Sequence, residues 1–327
     1  MKHIEIVVPC YNEEACVAPL FEAVERVFAG IKDHEWSILY VNDGSRDGTL
    51  DELKRLKEVK GDRVQYISFA RNFGKESAIY AGLSNSTGDL VVLMDADLQH
   101  PPELIPEFIK GIEEGYDCCG ACRVSRKGEP LIRSAMSRMF YGIINRVTSM
   151  HLVQGGSDYR MMTRQMVKSI LLLTERERFT KGIMSWVGFE TKWIPYENVE
   201  RYAGKTKWSF FGLVRYAWSG FIAFATTPLR AVTWLGSIIV LAAVAFAIYT
   251  FIDALNHPEQ RTGYATIILM LLFLGGIIIT ILGVIGEYIA RIYMELKHRP
   301  IYIEKINTVK ERKDSVHSDG EVSDAEN

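Results

Sequence analysis

Two carboxylates one residue apart, Asp95 and Asp97, follow the apolar run Leu90-Val91-Val92-Leu93-Met94, with Gln99, His100, Pro101 and Pro102 behind them. Oxygen ligands of this kind suit hard cations such as Mg²⁺ or Mn²⁺, which are commonly held by one or two carboxylates while substrate phosphates complete the shell. The same triplet at a strand end also serves as a plain turn or helix cap. Two further polar clusters stand behind apolar runs: Pro9-Cys10-Tyr11-Asn12-Glu13-Glu14 after Ile4 to Val8, and Asn42-Asp43-Gly44-Ser45 after Trp36 to Val41. Downstream, Arg123, Arg126, Lys127 and Arg133 form a basic segment. A guanidinium fork matches phosphate oxygens bidentately, although a charge run is more usually a solvated face.

The elements that must position these residues follow from periodicity. Strands are predicted at Ile4 to Val8, Trp36 to Val41, Val64 to Phe69, Leu90 to Met94, around Asp117 to Ala121, and at Trp193 to Tyr196. Val17, Leu20, Phe21, Val24, Val27 and Phe28 recur at helical spacing, and Thr49-Leu50-Asp51-Glu52 is a capping box. Further helices are predicted over Glu76 to Leu83, Pro102 to Glu114 and a mixed segment from Met136 to Val147, while Gly155 to Arg160 reads as a turn before a short strand. Strands alternating with helices imply an α/β fold with a mostly parallel, doubly wound sheet. Ligands of such sheets sit beyond the carboxyl ends of the strands, where the polar clusters fall.

The 327 residues carry 38 Lys and Arg against 40 Asp and Glu, a formal charge of -2, which gives no footing for nucleic acid. Cys118, Cys119 and Cys122 lack a second Cys or His pair at zinc spacing and read as small apolar residues on a buried strand. No Gly-x-Gly-x-x-Gly occurs. Gly74-Lys75 is no Walker loop, because Phe69 stands where the first Gly is needed and Glu76 follows the Lys.

Ala231 to Ile252 and Tyr264 to Gly286 are apolar and long enough to cross a hydrocarbon core of about 30 Å. The loop between them holds Arg261 as its fixed cation, whereas Arg215 and Arg230 precede the pair and Arg291, Lys297 and Arg299 follow it. The positive-inside bias then puts the loop outside and both termini in the cytosol, a multi-pass arrangement in the cell membrane. The aromatic-rich segment 207–230, with Trp208, Phe211, Trp218 and Phe224, suits helices in the membrane interface. The expected organisation is a catalytic domain over 1–206, interfacial helices over 207–230, a hairpin over 231–286, and a C-terminal segment over 287–327 whose tail from Lys310 is polar and disordered.

With Val7 to Glu14, Val41 to Thr49 and Asp95 to Pro102 in hand, the chain resembles the family-two glycosyltransferases of GT-A fold. More narrowly it resembles the polyprenyl-phosphate glycosyltransferases, which include dolichyl-phosphate mannose synthases and bacterial undecaprenyl-phosphate glucosyl- and N-acetylglucosaminyltransferases. Arg71-Asn72-Phe73-Gly74-Lys75, Gly156 to Arg160 and Arg201 to Lys207 extend the likeness. The resemblance implies an inverting transfer of a hexose from a nucleotide-sugar to polyprenyl phosphate at the cytosolic membrane face. It implies Asp95, Asp97 and Asp158 as catalytic residues, with Asp95, Asp97 and Gln99 holding Mg²⁺ or Mn²⁺. Pro9, Tyr11, Asn12, Glu13, Asp43 and Lys75 would bind the nucleotide, and Arg123, Arg133 and Lys205 the acceptor phosphate. Lys205 lies in a Gly-Lys-Thr-Lys run that departs from the Gly-Glu-Ser-Lys form of the group. Partners implied are the donor, the lipid acceptor, the bilayer and further copies of the chain, a tetramer among the forms. A processive polysaccharide synthase is the enzyme alternative, against which no Gln-x-x-Arg-Trp occurs. An inactive membrane scaffold of the same fold is the other.

Overall fold

The computed structural model describes residues 1–124, 153–176, 178–197 and 263–311, with scattered positions between 142 and 252. The chain divides into two units, Met1–Gly220 with Pro300–Asn327, and Phe221–Arg299. Arg133, Lys205, the helix expected over Met136 to Val147 apart from the helical Gly142, and the interfacial segment 207–230 lie outside the described residues.

The first unit is built on an eight-stranded sheet in the order β7-β5-β6-β4-β1-β2-β3-β8. Its strands are β1 (Lys2–Cys10), β2 (His34–Asn42), β3 (Val64–Phe69), β4 (Leu90–Leu93), β5 (Cys118–Arg123), β6 (Gly156–Thr163), β7 (Thr191–Tyr196) and β8 (Glu304–Asn307). β1 pairs in parallel with β2 and β4, β2 with β3, and β5 with β7, whereas β6 runs antiparallel between β4 and β5. The helices of this unit are α1 (Glu14–Phe28), α2 (Thr49–Lys60), α3 (Lys75–Asn85), α4 (Ile105–Glu113), α5 (Arg164–Leu171) and α6 (Thr180–Trp186). Apolar runs unbroken by polar residues mark strands covered on both faces. Ile4, Ile6 and Val8 of β1 pack with Val17, Leu20, Phe21 and Val24 of α1, and with Ile105 and Phe108 of α4. Val7 points the other way, toward α3, where Gly82 leaves it room.

The chain reaches β2 and β3 on one side of β1 and then crosses to β4 on the other. That reversal opens a crevice at the carboxyl ends of β1 and β4, the place where open α/β sheets bind ligands. Charged groups at the opposite edge have structural duties instead. Buried Glu5 accepts from the Thr87 and Gly88 amides, and Arg164 donates to the Gly88 and Ser86 carbonyls.

Several expectations need correction. Residues 156–160 are not a turn: they open an eight-residue strand, and the turn lies just before it at Gln154 and Gly155, the latter at φ 85. Helices α5 and α6 fall where the sequence analysis predicts no element. The segment after Arg299 is no plain polar tail, because β8 pairs antiparallel with β3 at its edge. Thr308 fastens it by donating to Gln65 Oε1 at 2.8 Å and accepting from the Tyr66 amide at 2.9 Å, while Tyr302 stacks on Phe69 at 4.9 Å. Lys310 and Glu311 are helical, so order extends past the point where the tail was expected to begin.

In the second unit α7 (Tyr264–Leu296) runs 33 residues, ten beyond the expected end at Gly286. Its last turns are amphipathic, with Arg291 paired to Glu287 at 3.3 Å, so helical periodicity continues after the apolar run stops. At 1.5 Å per residue it is about 50 Å long, more than a bilayer core requires. Its stretch Phe273–Leu296 is long and apolar enough to cross a membrane. Described positions between 234 and 252 are helical, but the first expected membrane helix is otherwise outside the described residues.

The α3 to β1 contact is tight enough to test. A Cβ on Gly82 would lie inside van der Waals contact of Val7 Cγ1 and 3.2 Å from Val41 Cγ2. Gly82→Ala is expected to destabilise the first unit by about 1–3 kcal/mol through overpacking, despite the better helix propensity of Ala. A lowered apparent melting temperature of the detergent-solubilised chain checks it; an unchanged or raised value contradicts the packing.

Candidate active site

The loops behind β1 and β2 are knitted into one surface. Asn12, at φ 53, accepts the Arg46 amide on its Oδ1 at 2.8 Å and donates its own amide to Ser45 Oγ at 2.9 Å. The Glu13 amide donates to Thr49 Oγ1, and Glu14 accepts the Gly48 amide. Gly44, at φ 62, brings this surface against the loop behind β3, since any Cβ there would collide with the Arg71 backbone. Pro9 lies within β1, opposite Val41.

Asp43 fastens that third loop. Its carboxylate accepts from the Phe73 amide at 2.6 Å, the Gly74 amide at 2.9 Å and Asn72 Nδ2 at 2.9 Å. Burial raises its pKa, and the two backbone bonds and Arg71 work in the opposite direction. A carboxylate offers about four acceptor positions, so three are spent within the protein. Asp43 is thus first a loop fastener, with one position left for a ligand.

Behind Gly74 the first residue of α3 reaches across the crevice. Lys75 Nζ lies 2.7 Å from Asp95 Oδ1 and 2.9 Å from Asp158 Oδ2. Burial works against its charge, but Asp158 and Asp95 outweigh it and hold the ammonium well above its ordinary pKa. Asp158 is held well below the usual carboxylate range, because Lys75 and Lys181 overcome the effect of burial. Lys75, expected at the nucleotide, thereby joins two of the three predicted catalytic carboxylates, which come from β6 and the loop behind β4.

Asp97 is buried and caps its own loop by accepting the Gln99 amide at 3.2 Å. Leu98 permits this by adopting φ 58, a left-handed conformation that costs a non-glycine residue roughly 1–2 kcal/mol. Buried His100 stacks on Tyr159 at 5.2 Å, and Tyr159 donates to the Pro101 carbonyl at 3.0 Å. Burial lowers the pKa of His100, which keeps the ring neutral beside Asp95. Among the described residues no three His, Cys, Asp or Glu side chains gather into a metal cluster. Two hard carboxylates at this edge still fit Mg²⁺ or Mn²⁺ held jointly with a diphosphate, and the Lys75 ammonium against Asp95 shows that positive charge is favoured there.

Arg123 ends β5, and its amide donates to the Gly155 carbonyl at 2.9 Å. Lys181 of α6, which no sequence motif signals, donates to the adjacent Gly156 carbonyl at 3.0 Å and approaches Asp158 Oδ1 to 3.9 Å. Cys118 and Cys119 are buried free thiols on β5, as the sequence suggests.

Comparison with known proteins agrees with this architecture. Residues 5–171 match the glycosyl transferase family 2 model, and residues 227–292 match the GtrB C-terminal hairpin. CsbB of Bacillus subtilis (strain 168), named as a glycosyltransferase, is 46% identical over 302 residues, covering 92% of this chain and 91% of the relative. The bactoprenol glucosyl transferase of Shigella phage SfV is 39% identical, over 92% of this chain and 98% of its own. Among solved structures, glucosyl-3-phosphoglycerate synthase from Mycobacterium tuberculosis is 17% identical with a TM-score of 0.45, covering 66% of this chain and 76% of that one. On the family match and these relatives, the chain belongs to glycosyl transferase family 2 and carries a GtrB C-terminal hairpin behind its catalytic domain.

Proposed function

We propose that this enzyme is an inverting hexosyltransferase that moves glucose from UDP-glucose to undecaprenyl phosphate at the cytosolic face of the cell membrane, with N-acetylglucosamine as the second donor sugar to consider. The observation that carries the reading is the bridge of Lys75 between Asp95 and Asp158 at the carboxyl edge of β4. It is supported by the relative named bactoprenol glucosyl transferase and by the apolar helix that a lipid-using enzyme requires. The product would enter cell envelope polysaccharide synthesis, and the chain would act as a homo-oligomer.

In this reading the nucleotide lies across the loops behind β1, β2 and β3, with Pro9, Tyr11, Asn12, Glu13 and the remaining acceptor of Asp43 around it. Asp95 and Asp97, with Gln99 beside them, would hold Mg²⁺ or Mn²⁺ against the donor diphosphate. When bound, the metal supplies Lewis-acid stabilisation of the charge that develops on the departing diphosphate. Lys75 orients Asp95 and Asp158 relative to each other and adds positive charge on the same side. Arg123, with Arg133 and Lys205, would draw in the acceptor phosphate. That phosphate is already ionised at neutral pH, so it needs orientation more than proton removal. A single displacement from the face opposite the leaving group inverts the anomeric centre.

Transfer of radiolabel from UDP-glucose to undecaprenyl phosphate by the solubilised chain tests the function, and no lipid-linked sugar from either UDP-glucose or UDP-N-acetylglucosamine overturns it. Chelation should stop the wild-type reaction and Mn²⁺ should restore it. Asp97→Ala should lower turnover on the order of a hundredfold or more, as the loss of several kcal/mol of charge stabilisation implies. Its melting temperature should stay near that of the wild type, and near-normal turnover would remove the metal role. Topology has its own test: a reporter fused within 253–263 is expected to read as external, and a cytosolic signal reverses the proposed orientation.

A further inference from the structure

Asp158 stands between two lysines that are held differently. Lys75 commits its ammonium to carboxylates on both sides, with Asp95 and Asp158 each within 2.9 Å. An ammonium has three donors. Lys181 spends one of them on the Gly156 carbonyl at 3.0 Å, and its 3.9 Å approach to Asp158 Oδ1 is an ion pair beyond hydrogen-bond length. Two donors remain, on a side chain that is 27% exposed.

The placement of Lys181 is built by distant contacts. The preceding Thr180 donates its amide to Glu76 Oε2 at 2.9 Å and its hydroxyl to the same oxygen. Arg178 lies over the Tyr80 ring at 4.5 Å. Helix α3 therefore carries Lys75 to the Asp95 side of Asp158, while its next residue, Glu76, pins the start of α6 so that Lys181 arrives at the Gly156 side. The Arg123 amide bonds the Gly155 carbonyl one residue away, so β5 delivers its terminal arginine to the same turn. Positive charge with spare donors thus stands across Asp158 from the diphosphate side.

We propose that Lys181 binds the phosphate monoester of the lipid acceptor, a residue beyond those the sequence motifs supply. The inference rests on the acceptor being a lipid phosphate, as in the function proposed above. A compact ammonium with two open donors can bridge two oxygens of a phosphate while its tie to Gly156 keeps it in place. Asp158 then separates the acceptor's cation from Asp95, which keeps the two phosphate groups apart until transfer.

The test uses the full chain in detergent as wild type, Lys181→Gln and Lys181→Arg. With Lys181→Gln the KM for undecaprenyl phosphate should rise about tenfold or more, the loss of one charge-assisted contact, while the KM for UDP-glucose stays within about twofold. Lys181→Arg should recover most of the acceptor affinity. An unchanged acceptor KM, or a donor KM that rises equally, overturns the assignment. Binding of a short-chain isoprenyl phosphate, followed by ³¹P line broadening without turnover, separates this result from failure of the proposed function. Weaker binding by Lys181→Gln supports the site even if no sugar transfer is found, and equal binding by both proteins sinks it. Inorganic phosphate binding as tightly as the isoprenyl phosphate would assign the site to free phosphate and overturn the lipid assignment.

Discussion

Carboxylates gathered at one edge of a sheet repel one another, and the crevice behind β4 tolerates Asp95 and Asp158 together because Lys75 stands between them. The bridge forms where the antiparallel pairing of β4 with β6, Leu93 opposite Arg160, already brings Asp95 and Asp158 to the same edge. Asp95 comes from the loop of a parallel strand, and Asp158 from the antiparallel strand β6 inserted between β4 and β5. Antiparallel insertion is what makes the meeting possible. Near its start β6 is level with the carboxyl end of β4, where a parallel neighbour would bring its own terminus. The reach of Lys75 in turn depends on Gly74, whose φ of 99 ends the loop and starts α3 abruptly.

The loops behind β1, β2 and β3 depend on hydrogen bonds to one another. Backbone amides in the loops behind β1, β2 and β3 are satisfied by side chains of neighbouring loops: Ser45 and Thr49 serve the first, Asn12 and Glu14 the second, and Asp43 the third. Each loop is shaped by another, so the surface exists only when all three strands are in register. Replacing Asp43 would deprive the 72–74 loop of the partner of three donors.

Much of the sheet was legible in the sequence because β1 to β4 are covered on both faces and are mostly apolar, with β4 an unbroken apolar run and only a few buried polar residues such as Glu5 and Gln65 in the others. The motifs behind them were legible because turn residues and carboxylates are concentrated there. Strand β8 left no such trace: Glu304-Lys305-Ile306-Asn307 is polar, and its attachment comes from Thr308 and Tyr302 meeting residues more than two hundred positions away. Gly155-Gly156 was read as a turn on composition, but the second glycine is there for packing, since a Cβ would stand 2.8 Å from the Trp193 ring. Asp158 stands out in its motif, but it lies in a strand rather than in the expected turn. Lys181 was not legible at all, as its position depends on Glu76 gripping Thr180 across about a hundred residues of chain.

The same geometry bears on what Asp158 can do. A general base works best when its pKa lies near the working pH, and burial alone would move a carboxylate in that direction. Here Lys75 and Lys181 overcome burial and drive the group the other way, so at neutral pH it stays ionised and accepts a proton poorly. An ionised phosphate acceptor has no proton that must be removed. The arrangement therefore suits a fixed negative post that holds two lysines in place, one toward Asp95 and one toward the turn at Gly156. In the proposed reaction this edge of the sheet would work by charge placement rather than by proton transfer.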